Sequence, residues 1–406
     1  MKILQINHSD ISGGAAIASY RLHQGLLAQG IDSRMLVELK KTSSERIAVI
    51  NRLRSPENLI SRLAWRLGLN NISVINSFNF PKHPFFQDTD ILNFHNLHGD
   101  YFNYLALASL TKDKPAVWTL HDMWSFTGHC AYSYDCDRWK SGCGNCPYLD
   151  TVPSTGFDNT KLEWKLKKWV YHRSNLTIIC PSQWLTEQAK QSILQVFNIH
   201  YIPNGIDLQA YQPLEQQECQ SVLGIPKHKK VLMFVAQNLS DSRKGGYLLL
   251  NALNNLPESL KKETVLITLG EGGETIGDTV GIPVITLGYV SGDRLKSIAY
   301  SAADLFIFPT RADNLPLVLQ ESMACGTPMV SFNIGGVPEL VRPGVTGYLA
   351  EPDNAQDFRD KIIELLEDTQ LRKKMSQNCR EIAVKEYPIE LQAQKYIELY
   401  HQILGK

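Results

Sequence analysis

Four charged side chains have the types and spacing to handle an activated phosphate ester. Arg243 and Lys244 are adjacent in Gln237-Asn238-Leu239-Ser240-Asp241-Ser242-Arg243-Lys244-Gly245-Gly246, at a strand-to-helix junction. Two neighbouring cations at a helix start can clamp a diphosphate and place charge-assisted bonds where negative charge grows on a departing phosphate. Asp313 and Glu321 lie in the run Phe308 to Pro328, which joins a strand-like stretch to a helical one. Asp313 falls at the carboxyl end of the strand, where open α/β sheets bind ligands, and Glu321 one to two turns into the helix. A carboxylate accepts from two sugar hydroxyls at once, so Glu321 can hold a ribose and Asp313 a transferred hexose. The ordinary alternatives are a solvated loop for the two cations, a helix cap for Asp313 and an exposed helix position for Glu321.

Two glycine pairs and a histidine extend this set. Gly13-Gly14 stands immediately before a helical stretch whose first N–H groups can face an anion. The pattern is neither GxGxxG nor a Walker loop, so dinucleotide and P-loop readings lose ground. Asn333-Ile334-Gly335-Gly336-Val337-Pro338-Glu339 gives a second glycine-supported helix start, where Glu339 suits the helix dipole. His121, followed by Asp122, ends a strand and can donate a hydrogen bond to a sugar. No GxSxG nucleophile elbow accompanies it, so hydrolysis is the weaker reading. His8, His95 and His98 can line the same cleft or be structural.

Cys130, Cys136, Cys143 and Cys146 form C-x5-C-x6-C-x2-C. Four thiolates can complete a structural zinc shell, which leaves no open position for catalysis. Packed thiols and disulfides are the alternatives. Lys161 to Arg173 carries five basic residues and one acidic one around Trp164 and Trp169. As a helix it joins Leu162, Leu166 and Trp169 on one side, and it either lies on anionic lipid or packs on a sheet. Leu59 to Leu69, with Arg62, Trp65 and Arg66, raises the same question.

The elements that must position these residues follow a βαβ rhythm. Strand-like runs at 2–6, 33–37, 72–75, 91–94, 116–119, 176–180 and 200–202 alternate with helical patterns such as 15–28, predicting a doubly wound α/β domain over 1–203 with a Cys-rich insertion at 130–146. The turn-forming run Pro203-Asn204-Gly205-Ile206-Asp207 then breaks the periodicity. A second series at 230–236, 264–269, 283–287, 305–308 and 329–332 predicts another parallel sheet over 204–385. The tail 386–406 reads as an amphipathic helix. Length agrees, since 406 residues suit two domains. Lysine plus arginine and aspartate plus glutamate both number 41, so no net field gathers nucleic acid. With no signal-peptide core and no apolar run beyond strand length, the expected location is cytoplasmic, with peripheral contact on the inner face of the membrane as an extension.

Taken together, the double glycine, His121, the Arg-Lys-Gly loop, the acidic pair eight positions apart and the Gly-Gly-x-Pro-Glu loop resemble the GT-B glycosyltransferases of family 4. The His-Asp-x-Trp run and the cysteine-rich insertion are similar to a colanic-acid or O-antigen branch. The resemblance implies two Rossmann-like domains facing across a cleft, with the last helix crossing back to the first. It implies a retaining, metal-independent transferase taking a UDP- or GDP-sugar donor and a saccharide or lipid-linked acceptor in surface polysaccharide synthesis. Gly13 and Gly14 would approach the donor diphosphate, Arg243 and Lys244 would hold it, and Glu321 would bind the ribose. Asp313 and the backbone of Asn314, Leu315, Pro316 and Leu317 would hold sugar and phosphate, and His121 a sugar hydroxyl. A noncatalytic sugar-nucleotide binder and a GT-B epimerase or phosphorylase are the competing readings. The family has glutamate in place of Asp313 and Gly-Phe-Gly near Asn314-Leu315-Pro316. Its arginine before the Lys-Gly pair has no match among Gln237, Asn238 and Leu239.

Overall fold

The computed structural model describes residues 1–50, 54–238, 241–272 and 279–405. Leu239 and Ser240 of the basic loop lie outside the described residues. The chain divides into two compact units, Met1–Gly205 with Glu390–Lys406, and Ile206–Ile389.

The first unit holds a parallel sheet of seven strands: β1 (Lys2–Ser9), β2 (Asp32–Leu39), β3 (Ile47–Val49), β4 (Ile91–Phe94), β5 (Ala116–Thr119), β6 (Leu176–Cys180) and β7 (Ile199–Tyr201). Their order is β3-β2-β1-β4-β5-β6-β7. Strands covered on both faces read as continuous apolar runs, and β4 and β5 are buried at every position. The order reverses between β1 and β4, which pair in register through Ile6 and Phe94. That switch point is where open sheets leave a crevice. The loop after β1 and its Gly13-Gly14 helix start (Gly14–Ala28) lie on one side of it, and His95 directly follows β4 on the other.

The second unit repeats the plan with β8 (Lys230–Asn238), β9 (Thr264–Glu271), β10 (Val284–Thr286), β11 (Leu305–Phe308), β12 (Met329–Phe332) and β13 (Gly347–Ala350), in the order β10-β9-β8-β11-β12-β13. Its reversal lies between β8 and β11. The basic turn follows β8 and the Asp313 loop follows β11, so both sit at the switch point. Leu305, Phe306, Ile307 and Phe308 are wholly buried, each worth about 1.5–3 kcal/mol on burial.

The last helix (Ile389–Leu404) packs in the first unit. Ala393, Tyr396, Leu399 and Tyr400 bury against Ile3, Leu22, Ile91, Val117 and Ile179. Asn93 Nδ2 donates to the Tyr400 hydroxyl at 3.0 Å, and the Tyr396 hydroxyl lies 3.0 Å from Thr119 Oγ1.

Several expected elements differ. Residues 72–75 form no strand but lead into a 3-10 helix, Ile75–Lys82. Their backbone partners come from side chains and turns instead: Asn103 Nδ2 donates to Ile72 O at 2.6 Å, and Ser77 N to Val74 O at 3.3 Å. The edge strands β3 and β13 are additional to the expected set.

The helix Thr160–Tyr171 packs Leu166 against the core without Leu162 and Trp169. It buries Glu163, Trp164, Lys167, Val170 and Tyr171, leaving Leu162 and Trp169 exposed beside Lys161, Lys165 and Lys168. Glu163 and Lys167 both turn inward beside Trp164, Val170 and Tyr171. Burial pushes Glu163 up to about 7 and Lys167 down to about 8, while the Lys167 ammonium donates to Trp124 O at 2.6 Å and covers the Trp124 ring. The helix Arg54–Arg66 likewise turns Glu57 inward and exposes Leu59, Leu63 and Trp65 with Arg62 and Arg66. The two helices adjoin, because Asn159 Nδ2 donates to Leu67 O at 3.0 Å and Asn70 Nδ2 to Ser154 O at 3.2 Å. Among the described residues, no helix is long and apolar enough to cross a membrane.

Candidate active site

Three loops distant in sequence meet in the second unit. Asp241 accepts from Arg243 N at 2.9 Å and starts the single turn Ser242–Lys244. Gly245 ends that turn at φ +72°, and a Cβ there would lie 1.9 Å from Pro309 O. Only glycine lets the basic turn rest on the chain leaving β11. Arg311 N then donates to Arg243 O at 2.8 Å, locking the turn to the Asp313 loop. The third loop arrives through Gly335, at φ +51°, whose Cβ would lie 2.1 Å from Asp313 O. Gly336 N donates to the same carbonyl at 3.3 Å.

This packing closes an ion cluster. Lys244 Nζ donates to Asp313 Oδ2 at 2.6 Å, and Arg243 Nη1 reaches the same oxygen at 3.3 Å and Ala312 O at 2.9 Å. Asp313 Oδ1 accepts from Asn314 N at 3.1 Å. Burial works to raise the Asp313 pKa, but Lys244 and Arg243 outweigh it and hold the carboxyl below its usual range. Burial lowers the Lys244 pKa despite the opposing pull of Asp313. The solvated-loop alternative therefore fails: the side chains of Arg243, Lys244 and Asp313 are only 28%, 17% and 12% exposed. Glu321 is not at an exposed helix position either; it is buried and accepts from the Tyr300 hydroxyl at 3.3 Å. Asn314 and Leu315 are buried, and Pro316 and Leu317 open the helix (Leu317–Ala324) that carries Glu321.

In the first unit, Gly13 takes φ +93° ahead of the first helix, and a Cβ at Gly14 would meet nothing within 4 Å. The loop is held from beneath by buried Asp10, which accepts from Ile11 N, Lys41 N and Thr42 N at 2.9–3.0 Å. Burial alone would raise the Asp10 pKa, and these N–H groups bring it below the usual value. His121 is partly buried, with Nε2 3.0 Å from His95 Nδ1, and His95 Nε2 lies 2.9 Å from Gln5 Oε1. Burial pushes His121 down to about 4, with Asp122 opposing and His98 reinforcing the shift. His98 itself bonds Asp122 at 2.8 Å, and His8 packs on Tyr101 beside Glu38.

Cys130, Cys136, Cys143 and Cys146 line one cavity of about 20 Å³ and carry no disulfide. Burial pushes Cys130 up to about 12 and Cys143 up to about 11. Among the described residues no group of three or more His, Cys, Asp or Glu side chains is arranged to hold a metal. The geometry thus gives the expected zinc no support.

Sequence reasoning missed Asp10, Gln5 and Tyr300. Asp10 had a local signal, a carboxylate just ahead of a glycine turn; Tyr300 and Gln5 sit in an ordinary helix and strand and had none.

Comparison with known proteins agrees with the two-unit fold. Residues 12–210 match the Glycosyltransferase Family 4 model, and residues 215–382 match Glycosyl transferases group 1. The chain is 27% identical over 364 residues to the putative colanic acid biosynthesis glycosyl transferase WcaC of Escherichia coli, covering 84% of this chain and 85% of that protein. It is 31% identical to the D-inositol 3-phosphate glycosyltransferase of Mycolicibacterium smegmatis over 198 residues, 45% of this chain and 44% of that one. Sucrose-phosphate synthase of Thermosynechococcus elongatus superposes with a TM-score of 0.74 at 19% identity, over 100% of this chain and 99% of that one. HepE of Anabaena, in complex with UDP and glucose, superposes with a TM-score of 0.69 at 19% identity, over 99% and 100%. These two likenesses speak for the fold alone. Two parallel α/β units and two family matches that together run from residue 12 to 382 lead to one assignment: the chain belongs to the GT-B glycosyltransferases of family 4.

Proposed function

We propose that this glycosyltransferase moves a hexosyl group, with retention and without a catalytic metal, from a UDP- or GDP-sugar to a saccharide or lipid-linked saccharide acceptor in surface polysaccharide synthesis. The observation that carries this reading is the Arg243–Lys244–Asp313 cluster at the switch point of the second sheet. Arg243 and Lys244 take the donor diphosphate and supply positive charge as it departs. Glu321, aimed by Tyr300, takes the ribose hydroxyls. Asp313 holds the two cations and, with the backbone from Asn314 to Leu317, the sugar. Gly13 and Gly14 leave room for phosphate, and His121 meets a sugar hydroxyl.

In the step itself, the acceptor oxygen forms a bond to the anomeric carbon as the bond from that carbon to the phosphate oxygen breaks. The acceptor proton passes to the departing phosphate oxygen on the same face, which preserves the anomeric configuration without a covalent enzyme intermediate. The name of the Escherichia coli relative supports a polysaccharide pathway. The test is a screen of nucleotide sugars by binding and slow hydrolysis. One donor that binds and turns over is expected; no binding of any UDP- or GDP-sugar would contradict the reading.

A peripheral membrane position fits a lipid-linked acceptor. What supports it is the inward turn of Glu57 and Glu163, which leaves exposed Leu59, Leu63, Trp65, Leu162 and Trp169 among basic side chains. Such a surface suits anionic lipid.

A further inference from the structure

We propose that Asp313 competes with the donor diphosphate for Lys244 and Arg243, so that a diphosphate takes the two cations over from the carboxylate and releases Asp313 to hydroxyls of the transferred sugar. This competition rests on the function proposed above, which assigns both cations to the diphosphate.

The cluster balances its own charge. Lys244 Nζ donates to Asp313 Oδ2 at 2.6 Å, Arg243 Nη1 reaches the same oxygen at 3.3 Å, and Arg243 Nη2 stands 3.4 Å from Asp241 Oδ2. Two cations thus face two carboxylates. The carboxylates are not equal competitors, because the Asp241 side chain is 38% exposed and screened by water, whereas Asp313 is held in the packed part of the cluster. The Lys244 ammonium also lies 4.9 Å from the centroid of the Phe308 ring, so part of its surroundings is apolar. An ammonium in such a place gives up a carboxylate only to another anion, since losing its partner would leave a buried charge uncompensated. A diphosphate is such an anion; a sugar hydroxyl is not.

The lone pairs of Asp313 give the same order. An ionised carboxylate only accepts, and Lys244 and Arg243 keep this one ionised against the effect of burial. The two cations fill Oδ2, and Oδ1 accepts from Asn314 N at 3.1 Å. A sugar hydroxyl gains Oδ2 once phosphate has drawn Lys244 and Arg243 away. The exchange needs side-chain movement alone, because Arg311 N donates to Arg243 O at 2.8 Å and Arg243 N to Asp241 Oδ1 at 2.9 Å, which fixes the backbone of the turn. Phosphate therefore binds before the sugar is held.

The test measures binding of UDP and GDP by calorimetry in the parent chain and in Asp313→Asn, together with turnover of the UDP- or GDP-sugar that the parent uses. Asp313→Asn should bind the nucleoside diphosphate about tenfold more tightly, because a like charge beside the phosphates is removed, while kcat falls. A carboxylate that merely holds the cations in place would instead weaken binding and lower kcat together. Equal or weaker diphosphate affinity in folded Asp313→Asn overturns the competition. A parent that binds neither UDP nor GDP removes the diphosphate site itself, and the function proposed above with it. A second measurement needs no variant: in the parent crystallised with UDP, Lys244 Nζ should bond a phosphate oxygen and stand outside hydrogen-bond distance of Asp313 Oδ2. Bound diphosphate beside an intact Lys244–Asp313 bond would equally overturn the competition.

Discussion

Asp313 carries the electrostatic weight of the site, because one oxygen takes both Lys244 Nζ and Arg243 Nη1. Removing one partner of a buried ion set leaves the others uncompensated, at a cost of about 3–5 kcal/mol. Asp313→Asn should therefore lower the denaturation midpoint and nucleotide-sugar turnover together, whereas Asp313→Glu, which restores the residue usual in the family, should keep turnover within a few-fold. Equal losses in both variants would separate the carboxylate from the reaction. The lowered Asp313 pKa gives stability that is present above the ordinary carboxylate range and lost as pH falls through the folded-state value. A second pH effect comes from His23, which is fully buried and pushed down to about 4, by burial first and then by Arg46. Its folded pKa lies below its unfolded one, so the unfolded chain takes up the proton first. Its contribution is complete above about pH 6.5 and is lost toward pH 4 at about 1.4 kcal/mol per pH unit. Urea midpoints measured between pH 7 and pH 4 should show this slope, and His23→Gln should flatten it. The spacing of Arg243, Lys244, Asp313 and Glu321 was legible because it sits on a strand-loop-helix pattern. Their supports were not: Tyr300 and Gln5 act through contacts from helix and strand positions that local pattern does not mark.

Among the elements that sequence pattern found are those with continuous apolar runs, such as β8 and β11. Those it missed are the edges β3 and β13, which are three and four residues long. The false strand at 72–75 has a strand-like composition, but the Asn103 side chain and the turn from Val74 to Ser77 take backbone groups of it. Which side of the helix Thr160–Tyr171 packs was left open by pattern, because buried Glu163 and Lys167 share the core side with Trp164, Val170 and Tyr171. Two predictions belong at this scale. Gly245→Ala puts a Cβ 1.9 Å from Pro309 O in a left-handed backbone, so it should destabilise by about 1–3 kcal/mol and weaken donor binding by unseating the basic turn. Calorimetry of folding and of nucleotide binding measures both effects, and a neutral outcome would show that the turn does not need this seat. Leu63→Glu with Trp169→Glu should abolish co-sedimentation with phosphatidylglycerol vesicles at low salt while leaving soluble donor hydrolysis intact. Parent protein that ignores anionic vesicles would remove the membrane surface.

At the scale of the molecule, the chain leaves its first unit at Gly205 and re-enters it at Glu390, so the first unit is completed only by the last helix. Deleting residues 390–406 would strip Tyr396 and Tyr400 from a core that includes Ile3, Val117 and Ile179. With about 1.5–3 kcal/mol for each buried side chain lost, the truncated chain should melt well below the parent. The two-sheet plan was legible because strand and helix periods alternate twice across a polar break. The division points were less so, since the boundary at Gly205 and Ile206 and the return at Glu390 lie beside long-range pairings such as Ile206 with Pro388. The central claim is that the basic turn of the second unit holds the departing diphosphate. Its most direct test is the turnover of the bound nucleotide sugar by Arg243→Ala/Lys244→Ala, with folding checked by circular dichroism. A folded double variant with kcat reduced at least about a hundredfold is predicted; a folded double variant that turns over donor at the parent rate would contradict the account.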